Sequence, residues 1–266
     1  MPASPTSNDL LVTVDGAVAR VVMNRAERHN AFDDALIAGL ISALTALAED
    51  GRVRVVQLAG AGKSFSAGAD LTWMKRMAGY GRAQNLADAA ELGRLMRLLH
   101  ELPKPTVALV QGAAYGGGVG LAAACDFVVA APDAVFSLSE VKLGLIPAVI
   151  SPYVVKAVGA RAANRLFLTA ERFDAREAHR LGLVTHIAAE GQVQAEADRL
   201  CRELLANAPT ALAAAKALVR RVAGRPIDDA LVAATVEGIA DQRASPEGRE
   251  GVAAFLEKRP AHWRVS

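Results

Sequence analysis

Glu140 is an acid in an otherwise nearly uncharged segment, and upstream of it stand three consecutive glycines, Gly116–Gly118. The glycines follow an apolar run, Thr106–Val110, and the pair Gln111-Gly112. They precede a small-residue segment, Val119–Ala124, which reads as a helix. Glycines at a strand-to-helix turn let a ligand approach the backbone closely and leave N–H groups free at the helix start. Those N–H groups and the helix dipole stabilise negative charge. An anion-stabilising backbone and one isolated carboxylate together make a kit for enolate chemistry.

The elements that must position this kit can be read in chain order. Leu10–Asp15 and Ala17–Met23 are β-branched runs around Asp15-Gly16, a strong hairpin signal. Asn24–Asn30 is a polar loop carrying Arg25 and Arg28. Asp33 or Asp34 caps a helix reaching about Glu49, with Leu36, Ile37, Leu40, Leu44 and Leu47 on one face. Arg54–Ala59 reads as a buried strand, and the loop from Gly60 leads to a helix near Leu71. Residues 83–100 are amphipathic helix with Leu92, Leu95, Met96 and Leu99 as its stripe, ended by Pro103 and Pro105. Asp126–Ala130, Ala134–Ser137 and Leu183–Ile187 read as strands; Tyr153–Val158, Ala160–Thr169 and Asp174–Leu181 lie between the last two, the latter two segments as helices. From Gly191 onward nearly everything is helix, broken at Pro209, Pro226 and Pro246. The order predicts an α/β core over residues 1–190 and a helical region over 191–266. The helical region has more apolar surface than a few helices bury among themselves, so contact with further copies or packing on its own core is expected.

Composition narrows the function classes. The chain has 266 residues, 52% of them hydrophobic but only 5% aromatic, so the core is built of Ala, Val and Leu. A formal net charge of +2 is too weak to imply nucleic acid as main partner. Charges or glycines interrupt every apolar run, so no membrane span is expected. Residues 1–9 are polar and read as a frayed tail, not a secretory signal. Cys125 and Cys201 sit in apolar or helical contexts and read as free thiols in a reducing, cytoplasmic compartment. The five histidines show no metal spacing.

Four stretches in the right order identify a resemblance. SFSAGADL (Ser64–Leu71), QGAAYGGGVGLAAACD (Gln111–Asp126), SEVKLGLIP (Ser139–Pro147) and LTAERFDAREAHRLGLV resemble the enoyl-CoA hydratase/isomerase, or crotonase, superfamily. NRAERHNAF near the start and EGREGVAAFLEKRPAHW at the end extend the likeness over almost the whole chain. The resemblance implies a crotonase-like spiral of β-β-α units in two sheets, followed by helices that build homotrimers or homohexamers. It implies an acyl-CoA substrate and no cofactor beyond the CoA moiety of that substrate. It assigns the thioester oxygen to the backbone N–H groups of Ala69 and Gly117, and proton transfer to Glu140. On the CoA side it assigns Arg28, Ala67, Asp70 and Leu71, with Phe255 and Lys258 reaching a neighbouring subunit's CoA. Asp70 also reads as the cap of the helix that begins there. Trp73 and Met74 either line the acyl tunnel or belong to the core.

One position departs from the family. Typical hydratases carry a second glutamate three residues after the middle glycine; here that position is Gly120. Glu140 alone would then serve as base and acid, through a water held by backbone or hydroxyl groups, with Tyr115, Ser137 and Ser139 nearby. With AGADLTWM and AVISPYVVKAVG, the missing glutamate looks like bacterial methylglutaconyl-CoA hydratase-type enzymes. Such substrates carry a distal carboxylate, which Lys75, Arg76, Arg94, Arg97 or Lys142 could read. The expected activity is hydration of an α,β-unsaturated acyl-CoA. The alternatives are an enoyl-CoA isomerase using the one glutamate and a non-catalytic acyl-CoA-binding protein.

Overall fold

The computed structural model describes residues 8–264. Most of the polar segment read as a tail thus lies outside the described residues. Asp15-Gly16 makes the expected hairpin. Strand β1 (Leu10–Asp15) pairs antiparallel with β2 (Val18–Met23), and Gly16 takes the positive φ of 54° that the turn needs. Strands β3 (Val55–Gly60), β4 (Thr106–Val110), β6 (Phe127–Ala130) and β9 (His186–Ile187) continue the sheet in parallel, in the order β1-β2-β3-β4-β6-β9. β4 is buried along its whole length, as a parallel strand covered on both faces must be. A second sheet has the order β5-β7-β8, formed by Ala113–Tyr115, Val135–Ser137 and Arg172–Asp174.

One face of the large sheet carries α1 (Asp34–Glu49), α3 (Arg82–Glu101) and α4 (Gly117–Ala124). Asp33, not Asp34, caps α1 by accepting from the Leu36 N–H at 2.9 Å. The predicted stripe on α1 is buried throughout, and Leu95, Met96 and Leu99 of α3 pack in the same core. The other face is covered by α7 (Val193–Leu205), whose Ala197, Leu200, Cys201 and Leu204 pack on Val55, Val107, Leu109 and Val129. The boundary near residue 190 therefore falls just before a helix that is itself a layer of the sheet. The remaining helices are α2 (Leu71–Met77), α5 (Ser151–Thr169), α6 (Ala175–Leu181), α8 (Pro209–Val222), α9 (Asp229–Ala244) and α10 (Pro246–Leu256).

Several local expectations are corrected. The helix expected from Val119 begins two residues earlier, at Gly117, because its first turn is fixed by packing and not by propensity. The division at Gly159 holds: with φ 77° and ψ 157° it is not helical, and two helical segments meet at a kink there within Ser151–Thr169. The strand expected over Leu183–Ile187 is reduced to its last two residues. β5 and β8, each of three residues, carry no periodic signal of their own. Both cysteines are free, as expected. Among the described residues no helix is long and apolar enough to cross a membrane. The C-terminal helices leave Val236, Val252, Phe255 and Leu256 exposed, as the segment between α8 and α9 does Ile227.

Candidate active site

The small sheet assembles the site. β5 and β7 are parallel, with Tyr115 opposite Ser137, so both strands end at the same edge. Beyond that edge β5 runs into the glycine turn and α4, while β7 runs into the short 3-10 turn Glu140–Leu143. The Gly116 N–H donates to the Ser137 carbonyl at 2.9 Å, tying the two exits together. Gly116 itself takes φ 50° and ψ −115°. A methyl group placed on it would stand 3.1 Å from Glu140 Oε1. The acid and the glycine turn, distant in sequence, are thus in contact.

The Ser64–Leu71 loop is laid against the same turn. The Ser66 N–H donates to the Ala113 carbonyl at 3.0 Å, and the Tyr115 N–H to the Ser66 carbonyl at 2.9 Å. On its other side the Phe32 N–H donates to the Gly68 carbonyl and the Asp70 N–H to the Phe32 carbonyl, both at 2.7 Å. This leaves Ala69 exposed between two anchored residues. Neither the Ala69 N–H nor the Gly117 N–H has an acceptor among the described residues. Phe32 also walls Gly117, since a side chain there would meet its ring edge at 2.8 Å. Sequence reasoning missed Phe32, which shows only as one apolar residue beside a polar loop.

Glu140 Oε2 is buried and has no hydrogen-bond partner. Burial pushes its carboxyl above the ordinary value of 4.5, opposed only by its own backbone N–H. A buried carboxyl whose proton affinity is raised is suited to exchanging a proton with a neighbouring carbon or water. Across α4 the Gly120 position is closed. A Cβ there would lie 2.2 Å from Ile150 Cγ2 and 3.3 Å from Met96 Cε. The space for a second carboxylate is filled by apolar side chains. Ile150 and Met96 gave no sign in the sequence of serving this purpose.

Arg28, Ala67, Asp70 and Leu71 fall together. The Ala67 N–H donates to the His29 carbonyl at 2.9 Å, and Arg28 reaches Asp70 at 3.3 Å. Asp70 caps α2 by accepting from the Thr72 and Trp73 N–H groups. Burial alone would raise its pKa; the two N–H groups, with Arg28 and Arg25, outweigh burial and hold the carboxyl below its ordinary value. Arg25, only 4% exposed, spans Asp70 at 3.2 Å, Asp33 at 2.8 Å and Asp9 at 3.4 Å. It braces the Ser64–Leu71 loop to α1, a role that its place in a run of polar residues did not distinguish from that of Arg28. Leu71 projects into solvent. Trp73 is core, and its Nε1 donates to Asp88 at 3.0 Å. Phe255, near the end of α10, and Lys258, just beyond it, stand on a separate element, which packs on α8 and α9. Tyr115 carries the Arg172 guanidinium 5.6 Å over its ring, Ser137 is buried, and Ser139 leads directly into Glu140.

The chain is similar to known proteins over nearly its whole length. The enoyl-CoA hydratase/isomerase family model matches residues 13–265. The chain is 32% identical over 258 residues to the short-chain-enoyl-CoA hydratase of Clostridium acetobutylicum, covering 95% of this chain and 96% of that one. It is 31% identical over 259 residues to the crotonyl-CoA hydratase of Syntrophomonas wolfei, covering 96% and 97%. The crystal structure of an enoyl-CoA hydratase from Shewanella pealeana matches with a TM-score of 0.95 at 46% identity, covering 98% and 97%. With its crotonase-like fold, the chain belongs to the enoyl-CoA hydratase/isomerase family.

Proposed function

We propose that this enzyme adds water across the α,β-double bond of an acyl-CoA, with Glu140 carrying out both proton transfers. The observation that carries the reading is the buried, unpartnered Glu140 Oε2 beside the glycine turn and the two free N–H groups. In the ionised state Glu140 takes a proton from water as the water oxygen bonds to the β-carbon. The electron pair of the double bond moves toward the thioester, whose oxygen becomes an oxyanion held by the Ala69 and Gly117 N–H groups. Glu140 then returns the proton to the α-carbon, so hydrogen and hydroxyl come from one water and add to the same face. Nothing beyond the substrate's own CoA moiety is required.

The sequence around Gly120 and Ala148–Gly159 favours methylglutaconyl-CoA or a related branched enoyl-CoA as substrate, which would place the enzyme in branched-chain breakdown. Of the five cations considered for its distal carboxylate, Arg76, Arg94 and Arg97 are paired with Asp34, Glu91 and Glu101. Lys75 and Lys142 have no ion pair among the described residues, and Lys142 shares the short turn with Glu140. The free thiols suit a reducing, cytoplasmic setting. The exposed apolar residues of α9 and α10 suit assembly into trimers or hexamers.

The isomerase reading keeps one specific support. Ile150 and Met96 exclude a second carboxylate at Gly120, and moving a double bond needs only one base. Incubation with methylglutaconyl-CoA and with a 3-enoyl-CoA, followed by product mass, separates the two. A gain of one water on the first supports the hydratase. An isomer of unchanged mass from the second, without hydration of the first, replaces it. Binding of acyl-CoA with no turnover of either would leave a binding protein.

A further inference from the structure

A second site lies at the other end of α4. The helix carries the oxyanion donor Gly117 at its start, and its last residues open onto a separate cavity of about 410 Å³. Eight residues of helix, roughly 12 Å, separate the two ends. The cavity is within the size range of small-molecule pockets. Its walls are apolar, including Ala122, Val128, Leu183, Leu212 and Val219 from four different segments.

The charges around it do not balance. Lys156, Lys216 and Arg220 line it, against one carboxylate, Asp126. That carboxylate is already engaged: one of its oxygens accepts from the Thr106 N–H at 2.8 Å, the Thr106 hydroxyl at 2.9 Å and Lys216 Nζ at 2.7 Å. Lys156 and Arg220 are left without a carboxylate partner among the described residues. Lys156 Nζ faces His100 Nε2 at 3.3 Å, and Arg220 reaches only the His100 carbonyl at 3.5 Å. Tyr153 packs edge-on against His100 at 5.3 Å. Burial and the surrounding Lys156, Arg220 and Lys216 charges lower the His100 pKa, so the imidazole does not add to the excess charge near neutral pH, nor does it relieve it. Two cations over an apolar chamber call for an anion with a carbon body.

We propose that this cavity binds a small aliphatic carboxylate, its head between Lys156 and Arg220 and its chain along the walls from α4 and α8. The site is independent of the reaction at Glu140. Neither cation is part of the buried Lys216–Asp126 pair, so replacing both leaves the packing intact. The test titrates hexanoate into the full-length protein by calorimetry and ligand-observed NMR, with 1-hexanol and inorganic phosphate as controls. Hexanoate is expected to bind wild type and Glu140→Gln alike, even with CoA at saturation. The Lys156→Gln/Arg220→Gln double variant, folded by circular dichroism, is expected to bind about tenfold or more weakly, the scale of losing a charge-assisted contact. Hexanol and phosphate should each fall behind hexanoate by a similar factor. Displacement of hexanoate by CoA, equal binding of either control, or unchanged binding by the double variant would overturn the proposal. So would no binding at all, which would mean that a second copy of this chain or nothing occupies the cavity.

Discussion

The burial of Glu140 costs stability wherever its carboxyl is ionised. Its carboxyl is held above 4.5 by burial, so the folded state binds the proton more tightly than the unfolded chain does. Its contribution to stability is therefore fully present below the unfolded pKa and lost as pH rises through the folded one. Glu140→Gln should raise the melting temperature at pH 7, and the gain should shrink toward zero as pH falls below 4.5. A variant no more stable than wild type at pH 7 would show that the carboxyl is compensated. The same replacement should lower turnover by about 10²–10⁴-fold, the usual scale for a general acid–base, while acyl-CoA still binds. Because the base must be ionised, the acid limb of kcat/KM in wild type should lie above 4.5. Gly120 is the complementary case. Gly120→Ala should cost about 1–3 kcal/mol in urea unfolding, because its methyl meets Ile150. Gly120→Ala with Ile150→Ala should lose less than the sum of the single changes. The absence of the second glutamate was legible in the sequence. That Ile150 fills its place was not, because the contact joins α4 to the start of α5 and leaves no local pattern.

The Ser64–Leu71 loop illustrates what an element needs from its neighbours. Asp70 closes α2 and also answers Arg25 and Arg28, so one carboxylate sets both the helix start and the loop before it. Asp70→Asn keeps a capping oxygen, whereas Asp70→Ala removes the cap and should be less stable than Asp70→Asn by about 1 kcal/mol. Both should raise KM more than they lower kcat if the loop moves without touching Glu140; steady-state kinetics decides. Hairpin, capped helices and buried stripes were legible because each is written in a few adjacent residues: Asp15-Gly16, Asp33, or Leu36 to Leu47. β5 and β8 were not, since three residues hold no period and their pairing is decided by partners far along the chain. The start of α4 at Gly117 was missed for a related reason. Glycine is a poor helix former, and here the turn is held by the Gly116 bond to Ser137.

At the level of the whole molecule, the outward apolar residues of α9 and α10 predict self-association. Phe255→Asp with Val252→Asp should reduce the sedimenting species toward monomer without changing the helical signal; an unchanged species would remove these residues from any interface. The C-terminal helical region is also tied to the residue before β3, since Arg54 donates to the Trp263 and Asn207 carbonyls at 2.9 and 2.6 Å. A last consequence follows from the way the loop of Ser66 is bonded to Ala113 and Tyr115. The unbonded Ala69 and Gly117 N–H groups belong to segments that are far apart in the chain and meet through that pairing and the Phe65 N–H bond to the Gln111 carbonyl, and the acid arrives from a third. Long-range parallel pairing forms slowly, after the local helices. The reactive centre is therefore among the last features to appear when the chain refolds. Recovery of catalytic rate after dilution from urea should lag behind recovery of far-ultraviolet circular dichroism, making activity a reporter of completed folding in this enzyme.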